Sequence, residues 1–98
     1  MIDYLYDSKG NPAGYLDGEF IYSLKGEAIG FVDDTNVYKI SGYYIGELLE
    51  DMVVDMKLNG MPRLSGIPKP GNIGSLPKPG NRGAINLGYP DVFFRLLE

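Results

Sequence analysis

A sixteen-residue period limits what this chain can fold into more than any other feature. Tyr6, Tyr22 and Tyr38 stand sixteen residues apart, as do Gly10, Gly26 and Gly42, and again Gly14, Gly30 and Gly46. Tyr15 and Phe31 follow the second glycines, and Leu16, Val32 and Leu48 keep the same phase. The copies align without a gap. A period this short describes small like units set side by side, each burying little surface alone and completed by its neighbours.

Within a unit the residues read as a β-hairpin. Ile2-Asp3-Tyr4-Leu5-Tyr6 alternates apolar and polar side chains, as a half-buried strand does. Asp7-Ser8-Lys9-Gly10 is a tight turn, with Asp able to accept from a backbone amide two residues on and Gly supplying positive φ. That combination predicts a three-residue hairpin loop closed by a glycine bulge, with Gly26 at positive φ in the second copy. Asn11-Pro12-Ala13 starts the return strand, and Pro12 predicts an edge position because proline cannot donate to a ladder. The second unit runs Phe20-Ile21-Tyr22 to Ala28-Ile29-Gly30-Phe31-Val32. The third runs Val37-Tyr38 to Tyr43-Tyr44-Ile45-Gly46. Met52-Val53-Val54-Asp55 opens a fourth in phase, but the turn glycine due at 58 comes only at Gly60. The fold class is therefore all-β, a meander of about seven short strands over residues 1–60. Gly14, Gly30 and Gly46 lie inside strands, where glycine normally weakens the element. The favoured reason is a neighbouring unit's tyrosine lying over each; the other is a plain β-bulge.

Residues 61–98 differ, though they belong to one domain with the repeats. Ile67-Pro68-Lys69-Pro70-Gly71-Asn72 returns nine residues later as Leu76-Pro77-Lys78-Pro79-Gly80-Asn81. A free linker needs no Ile67, Leu76 or Ile85, so the stretch reads as an arm docked by these anchors, with Lys69 and Lys78 near acidic turns such as Asp33-Asp34. The end, Pro90 to Glu98, reads as a short helix or a final strand. As a helix, Pro90 and Asp91 suit its first turn, and Val92, Phe93, Leu96 and Leu97 form its apolar face.

Composition narrows the chemistry. There is no Cys and no His, which removes thiolate catalysis, disulfides, the usual neutral-pH general base and the commonest zinc ligands. Residues 1–56 carry 11 acidic and 3 basic side chains, net −8, and residues 57–98 carry 6 basic and 2 acidic, net +4. The two halves attract one another. Lys69, Lys78 and Arg82 are too sparse for a nucleic-acid surface, and the acidic half repels phosphate. No apolar run spans a bilayer and no leader-like stretch follows Met1, so the expectation is a cytoplasmic protein with no membrane partner. Asp33-Asp34 and Glu50-Asp51 lie in turns without a calcium-loop pattern, so no metal or other cofactor is expected. The eight tyrosines suit either core and interface or a glycan- or peptide-binding surface used with edge carboxylates.

The Tyr-x-x-x-Gly-x-x-x-Gly-aromatic units at Tyr6–Tyr15 and Tyr22–Phe31 resemble a small bacterial family known as the four-fold beta-flower domain. The third copy departs by placing Glu47 where the aromatic stands. The resemblance covers residues 1–60 and the Phe93-Phe94 region, and leaves the Pro-Lys-Pro-Gly-Asn arm unmatched. It implies a β-fold organised around four-fold symmetry and carries no catalytic residues. Taken with the small core and the open edges of a meander, the expected role is a non-catalytic structural or interaction domain. Its expected partner is itself, as a homo-oligomer and most simply a tetramer. The alternative is the ligand-binding module built on tyrosines.

Overall fold

The computed structural model describes residues 2–56, 60–74 and 76–98. Seven strands follow in chain order: β1 (Ile2–Tyr6), β2 (Pro12–Asp17), β3 (Phe20–Ser23), β4 (Ala28–Asp33), β5 (Asn36–Lys39), β6 (Tyr44–Leu49) and β7 (Met52–Val54). Each pairs antiparallel with the next in one sheet of order β1 to β7. The sheet curls into a nearly closed barrel, and the Tyr6 N–H of β1 donates to the Asp51 carbonyl before β7 at 2.8 Å.

The inner turns are built as the repeat predicts. The Gly10 N–H donates to the Asp7 carbonyl and the Asp7 N–H to the Asn11 carbonyl; Ser23 with Gly26 and Glu27, and Lys39 with Gly42 and Tyr43, repeat the pattern. Gly10, Gly26 and Gly42 have φ of 85°, 90° and 100°, the left-handed conformation that a Cβ disfavours. The outer turns are two-residue loops whose first residues, Gly18, Asp34 and Glu50, all have positive φ. Only Gly18 takes that conformation without strain.

Each hairpin also carries a bulge. The register slips so that Ala13, Ile29 and Ile45 are the extra residues, one before each second glycine. Bulges bend strands and raise twist, and three in phase turn a flat meander into a curl. The core sits on the concave side. Leu5, Ile21, Val37 and Val53 stand sixteen apart, one per unit, and each is at most 2 % exposed. Four-fold geometry is thus present within one chain.

The fourth hairpin is split. The Asp55 N–H donates to the Pro90 carbonyl at 2.9 Å, the bond that Asp7, Ser23 and Lys39 make to Asn11, Glu27 and Tyr43. Val54 bridges Asp91. The return strand of unit four is therefore supplied by residues 90–92, and the arm takes the place of its tight turn. Lys57 to Asn59, and with them the glycine position due at 58, lie outside the described residues. After Val92 the chain leaves the sheet as a 3-10 turn, Phe93–Leu97, so the end is part strand and part helix.

That turn plugs the barrel. Val92, Phe93 and Leu96 are buried among the core residues. A Cβ on Gly14 would lie 2.8 Å from Cζ of Phe93, one on Gly30 2.8 Å from Cδ2 of Leu96, and one on Gly46 3.0 Å from Cγ2 of Val92. The strand glycines make room for the plug, and for the carbonyls of Tyr22, Tyr38 and Val54 in the next unit. The tyrosine rings expected over them lie elsewhere, because the neighbour presents its backbone and the plug fills the concave side. Leu97, expected on the buried face, is 62 % exposed. A 3-10 turn has three residues per turn, so Phe93 stacks with Leu96 while Leu97 falls in line with Phe94. Pro12 also departs from expectation, since β2 lies between β1 and β3. It is tolerated there because β3 pairs with β2 only from Gly14 to Asp17.

Candidate functional site

The arm binds the inner turns in reverse order. The N–H groups of Leu64, Ile73 and Arg82 donate to the carbonyls of Gly42, Gly26 and Gly10, each at 3.0 Å. Leu64, Ile73 and Arg82 are nine residues apart, and the glycines sixteen. One arm repeat thus spans the distance between neighbouring hairpin tips. A Cβ on Gly26 or Gly10 would strike the backbone of Gly74 or Gly83, and one on Gly42 that of Leu64. The turn glycines therefore answer two demands at once, positive φ and a backbone laid across them.

Side chains reinforce this clasp. The buried Tyr15 hydroxyl donates to the Gly74 carbonyl at 2.8 Å, and the Tyr4 hydroxyl to that of Pro77 at 2.8 Å. Asn81 Nδ2 donates to Asn11 Oδ1 and to the Lys9 carbonyl. Leu76 packs on Tyr15 and Tyr22, as its role as an anchor requires. Ile85 does not bury: it is 42 % exposed and holds the sheet through its N–H, which donates to the Ser8 carbonyl. Lys69 pairs with Glu27 at 3.3 Å and not with Asp33-Asp34, because the arm crosses the inner tips while those aspartates belong to an outer turn. Both partners of that pair are about half exposed, so it adds little stability.

Arg82 is the strongest polar contact of the arm. Its Nε and Nη2 donate to the two Asp51 carboxylate oxygens at 2.8 and 2.7 Å, and its guanidinium lies 4.9 Å from the centre of the Tyr6 ring. It thereby straps β1 to the turn before β7 where the barrel closes. The fork geometry matches a carboxylate in two bonds, which a lysine cannot do.

Three of the eight tyrosines are buried. Tyr15, Tyr22 and Tyr38 are at most 5 % exposed, and burial raises the Tyr15 and Tyr38 hydroxyl pKa above the ordinary 10.0. Tyr44 donates to Glu47 Oε2 at 3.0 Å, and burial first, then that hydrogen bond, push its pKa up to about 12. Glu47, the departure from the aromatic pattern, is 5 % exposed and satisfied by Tyr44 and by the Thr35 hydroxyl at 2.7 Å. Tyr43 is exposed, with the Arg63 guanidinium 4.8 Å from its ring centre. Among the described residues no three acidic side chains converge as a metal site would need.

Open apolar surface among the described residues includes two regions. At the plug end, Phe94 and Leu97 are 55 % and 62 % exposed. They border clefts of about 360 and 520 Å³ that share Ala13, Leu24 and Leu97. Leu24 stands at an inner turn position occupied in the other units by Ser8 and Ile40. The other surface is a cleft of about 520 Å³ beside β1, lined by Ile2, Leu5, Leu16, Leu48, Glu50 and Asp51 among others. No described helix is long and apolar enough to cross a membrane.

The structure places Tyr6, Tyr22 and Tyr38 in β1, β3 and β5, Gly10, Gly26 and Gly42 in the inner turns, and Gly14, Gly30 and Gly46 in β2, β4 and β6. The plug, the Arg82 strap and the strained outer turns were not singled out, although Gly18, Asp34 and Glu50 share the sixteen-residue phase and signalled the last of these. No curated protein and no solved structure matches the chain. A family model matches residues 3–85, so the likeness takes in the arm as well as the repeats and stops short of Phe93-Phe94. The chain belongs to the 4-fold beta flower protein family.

Proposed function

We propose that the protein is a non-catalytic interaction domain that assembles with itself through the plug face. The observation that carries this is the exposure of Phe94 and Leu97 together, on one side of a turn and beside two apolar clefts. A lone exposed apolar residue is ordinary, whereas a ring and a leucine rimming connected clefts form a contiguous patch. Phe94 of one copy entering the Leu24–Ala13 cleft of another, and the reverse, makes a two-fold contact in which each copy gives and receives. All four units lie within one chain, the fourth split, so this face alone supports a dimer; a tetramer requires a second contact face. The carboxylates that share a cleft, Asp3, Glu50 and Asp51, support a non-catalytic reading, since the first two are exposed and the third is held by Arg82, whereas acid–base work needs groups poised on one sheltered point. The alternative, a ligand module on tyrosines, has Tyr43 and Tyr89 as its exposed rings.

Light scattering on the full chain at micromolar concentration tests the proposal. A mass above 10.8 kDa is expected, falling to the monomer in Phe94→Ser and Leu97→Ser with the circular dichroism spectrum kept. A wild-type monomer, or an oligomer unmoved by both substitutions, refutes it.

A further inference from the structure

We propose that the cleft beside β1 is a slot for one added β-strand, and that its occupant is an extended peptide with alternating apolar and basic residues. The argument begins with what the split fourth hairpin leaves out. Residues 90–92 supply only the start of the return strand before the chain turns into the plug. Among the described residues there is no remainder of an eighth strand between β7 and β1.

The loss shows in the backbone. On the side away from β2, Tyr6 donates to Asp51. Alternate residues of a strand turn their amides to the same side, so Tyr4 shares that side with Tyr6. Its counterparts are paired there, Phe20 with Asp17, Asn36 with Asp33 and Met52 with Leu49. Among the described residues, Tyr4 faces no strand across the seam. Unpaired edges of this kind recruit strands, with main-chain bonds giving affinity and alternate side chains giving selectivity.

The loss also shows in the side chains. Leu16, Val32 and Leu48 form a layer below the complete ring of Leu5, Ile21, Val37 and Val53, and pack against it. The in-phase fourth member is Leu64, which the arm instead carries to Gly42. Leu16 and Leu48 consequently line the cleft, together with Leu5. An added strand with an apolar residue directed inward completes this layer. At one end the slot is closed by the Tyr6–Asp51 bond and the Arg82 strap. The strand therefore enters along Ile2 to Leu5.

Charge selects the occupant. Asp3, Glu50 and Asp51 line the cleft. Asp51 is engaged by Arg82, whereas Asp3 and Glu50 are exposed and form no ion pair among the described residues. A second copy offering its own β1 would bring Asp3 and Glu50 against themselves, and like charges opposed across strands destabilise a pairing. Asp3 stands opposite Leu16 at the open end of the inward face, and Glu50 lies in the turn beside it, so the attraction of this rim for basic residues on the occupant is a longer-range one, without direct pairing to Asp3. This slot is separate from the plug face, and the two proposals stand or fall independently.

The test is a titration of the isotope-labelled full chain with the capped peptide Lys-Val-Lys-Leu-Lys-Val, followed by amide NMR. Shifts centred on Tyr4, Leu5, Leu16 and Leu48 are expected. Affinity should fall at least tenfold when glutamates replace the lysines, when proline replaces the lysine before leucine, and in Asp3→Lys with Glu50→Lys. Phe94→Ser should leave it unchanged. Four results overturn the proposal: no shifts at millimolar peptide, shifts confined to Leu24 and Leu97, affinity indifferent to charge and proline, or a Phe94→Ser protein that still dimerises through β1.

Discussion

Phe93 and Phe94 are adjacent, identical in chemistry and opposite in environment, which makes them a direct test of the plug. Phe93 is 3 % exposed and touches the space above Gly14, while Phe94 is 55 % exposed. Truncating a buried phenylalanine to alanine removes its transfer free energy and leaves a cavity, together about 3–5 kcal/mol. The cavity at Phe93 cannot close from the Gly14 side, because that strand is held between β1 and β3. The cost should therefore lie in the upper half of that range. A chain of this size has about 5–15 kcal/mol in all, so Phe93→Ala leaves it marginal. Phe94→Ala should cost about 0.5 kcal/mol or less, as surface substitutions do. Urea unfolding followed by circular dichroism reads both. With a slope of about 1 kcal/mol per molar, the Phe93→Ala midpoint should drop by about 4 M or more. Adding Gly14→Ala should not restore it, because the new Cβ is also directed at the Tyr22 carbonyl. Equal costs for the two phenylalanines, or a Phe93→Ala loss under about 1 kcal/mol, would mean that the turn does not fill the barrel.

Other perturbations bear on separate parts of the structure. Glu50 has φ of 55°, so Glu50→Gly should relieve the left-handed strain and raise stability by about 0.5–1 kcal/mol, seen as a higher melting temperature. Gly26→Val meets both φ of 90° and the Gly74 backbone; it should cost more than about 1 kcal/mol and increase amide exchange at Ile73, whose N–H bonds Gly26. Arg82→Lys keeps the charge but loses the two-bond fork to Asp51, so it should weaken the seam nearly as much as Arg82→Ala, measured as faster exchange of the Tyr6 amide. Tyr44 is raised to about 12 in the folded chain from 10.0; its contribution is complete below pH 10 and is lost as pH rises toward 12, so stability should fall across that window less steeply in Tyr44→Phe.

The hairpins were legible because they depend on local chemistry. Asp or Ser beginning a turn and Gly ending it dictate a backbone within a few residues, and positive φ at Gly26 follows. The phase of Leu5, Ile21, Val37 and Val53 likewise needs only alternation. The cover on Gly14, Gly30 and Gly46 could not be read the same way. It comes from Phe93, Leu96 and Val92, about fifty to eighty residues downstream, and a strand glycine alone reports that space is needed without saying for what. The end of the chain was ambiguous for a related reason. Asp91 pairs as a strand residue while its carboxylate accepts the Phe93 N–H at 3.1 Å and the Ser8 N–H at 3.0 Å, so one short segment answers to two patterns.

The duplicated arm motif was visible, but its meaning required the sheet. Nine residues of extended chain can reach about 30 Å, more than adjacent hairpin tips demand. Each arm repeat therefore has slack, which its positive-φ glycines, Gly66, Gly74 and Gly83, take up. Two unequal periods running in opposite directions register at three points only because each arm repeat returns one N–H to the next glycine carbonyl. The same economy explains the break in the fourth unit. A fourth regular hairpin would have placed Leu64 in the layer with Leu16, Val32 and Leu48 and paired Tyr4, closing the barrel. By diverting Leu64 to Gly42, the chain obtains a clasp for its hairpin tips and leaves a later segment to form its plug. Among the described residues the fourth position of that layer is a cleft beside the edge at Tyr4.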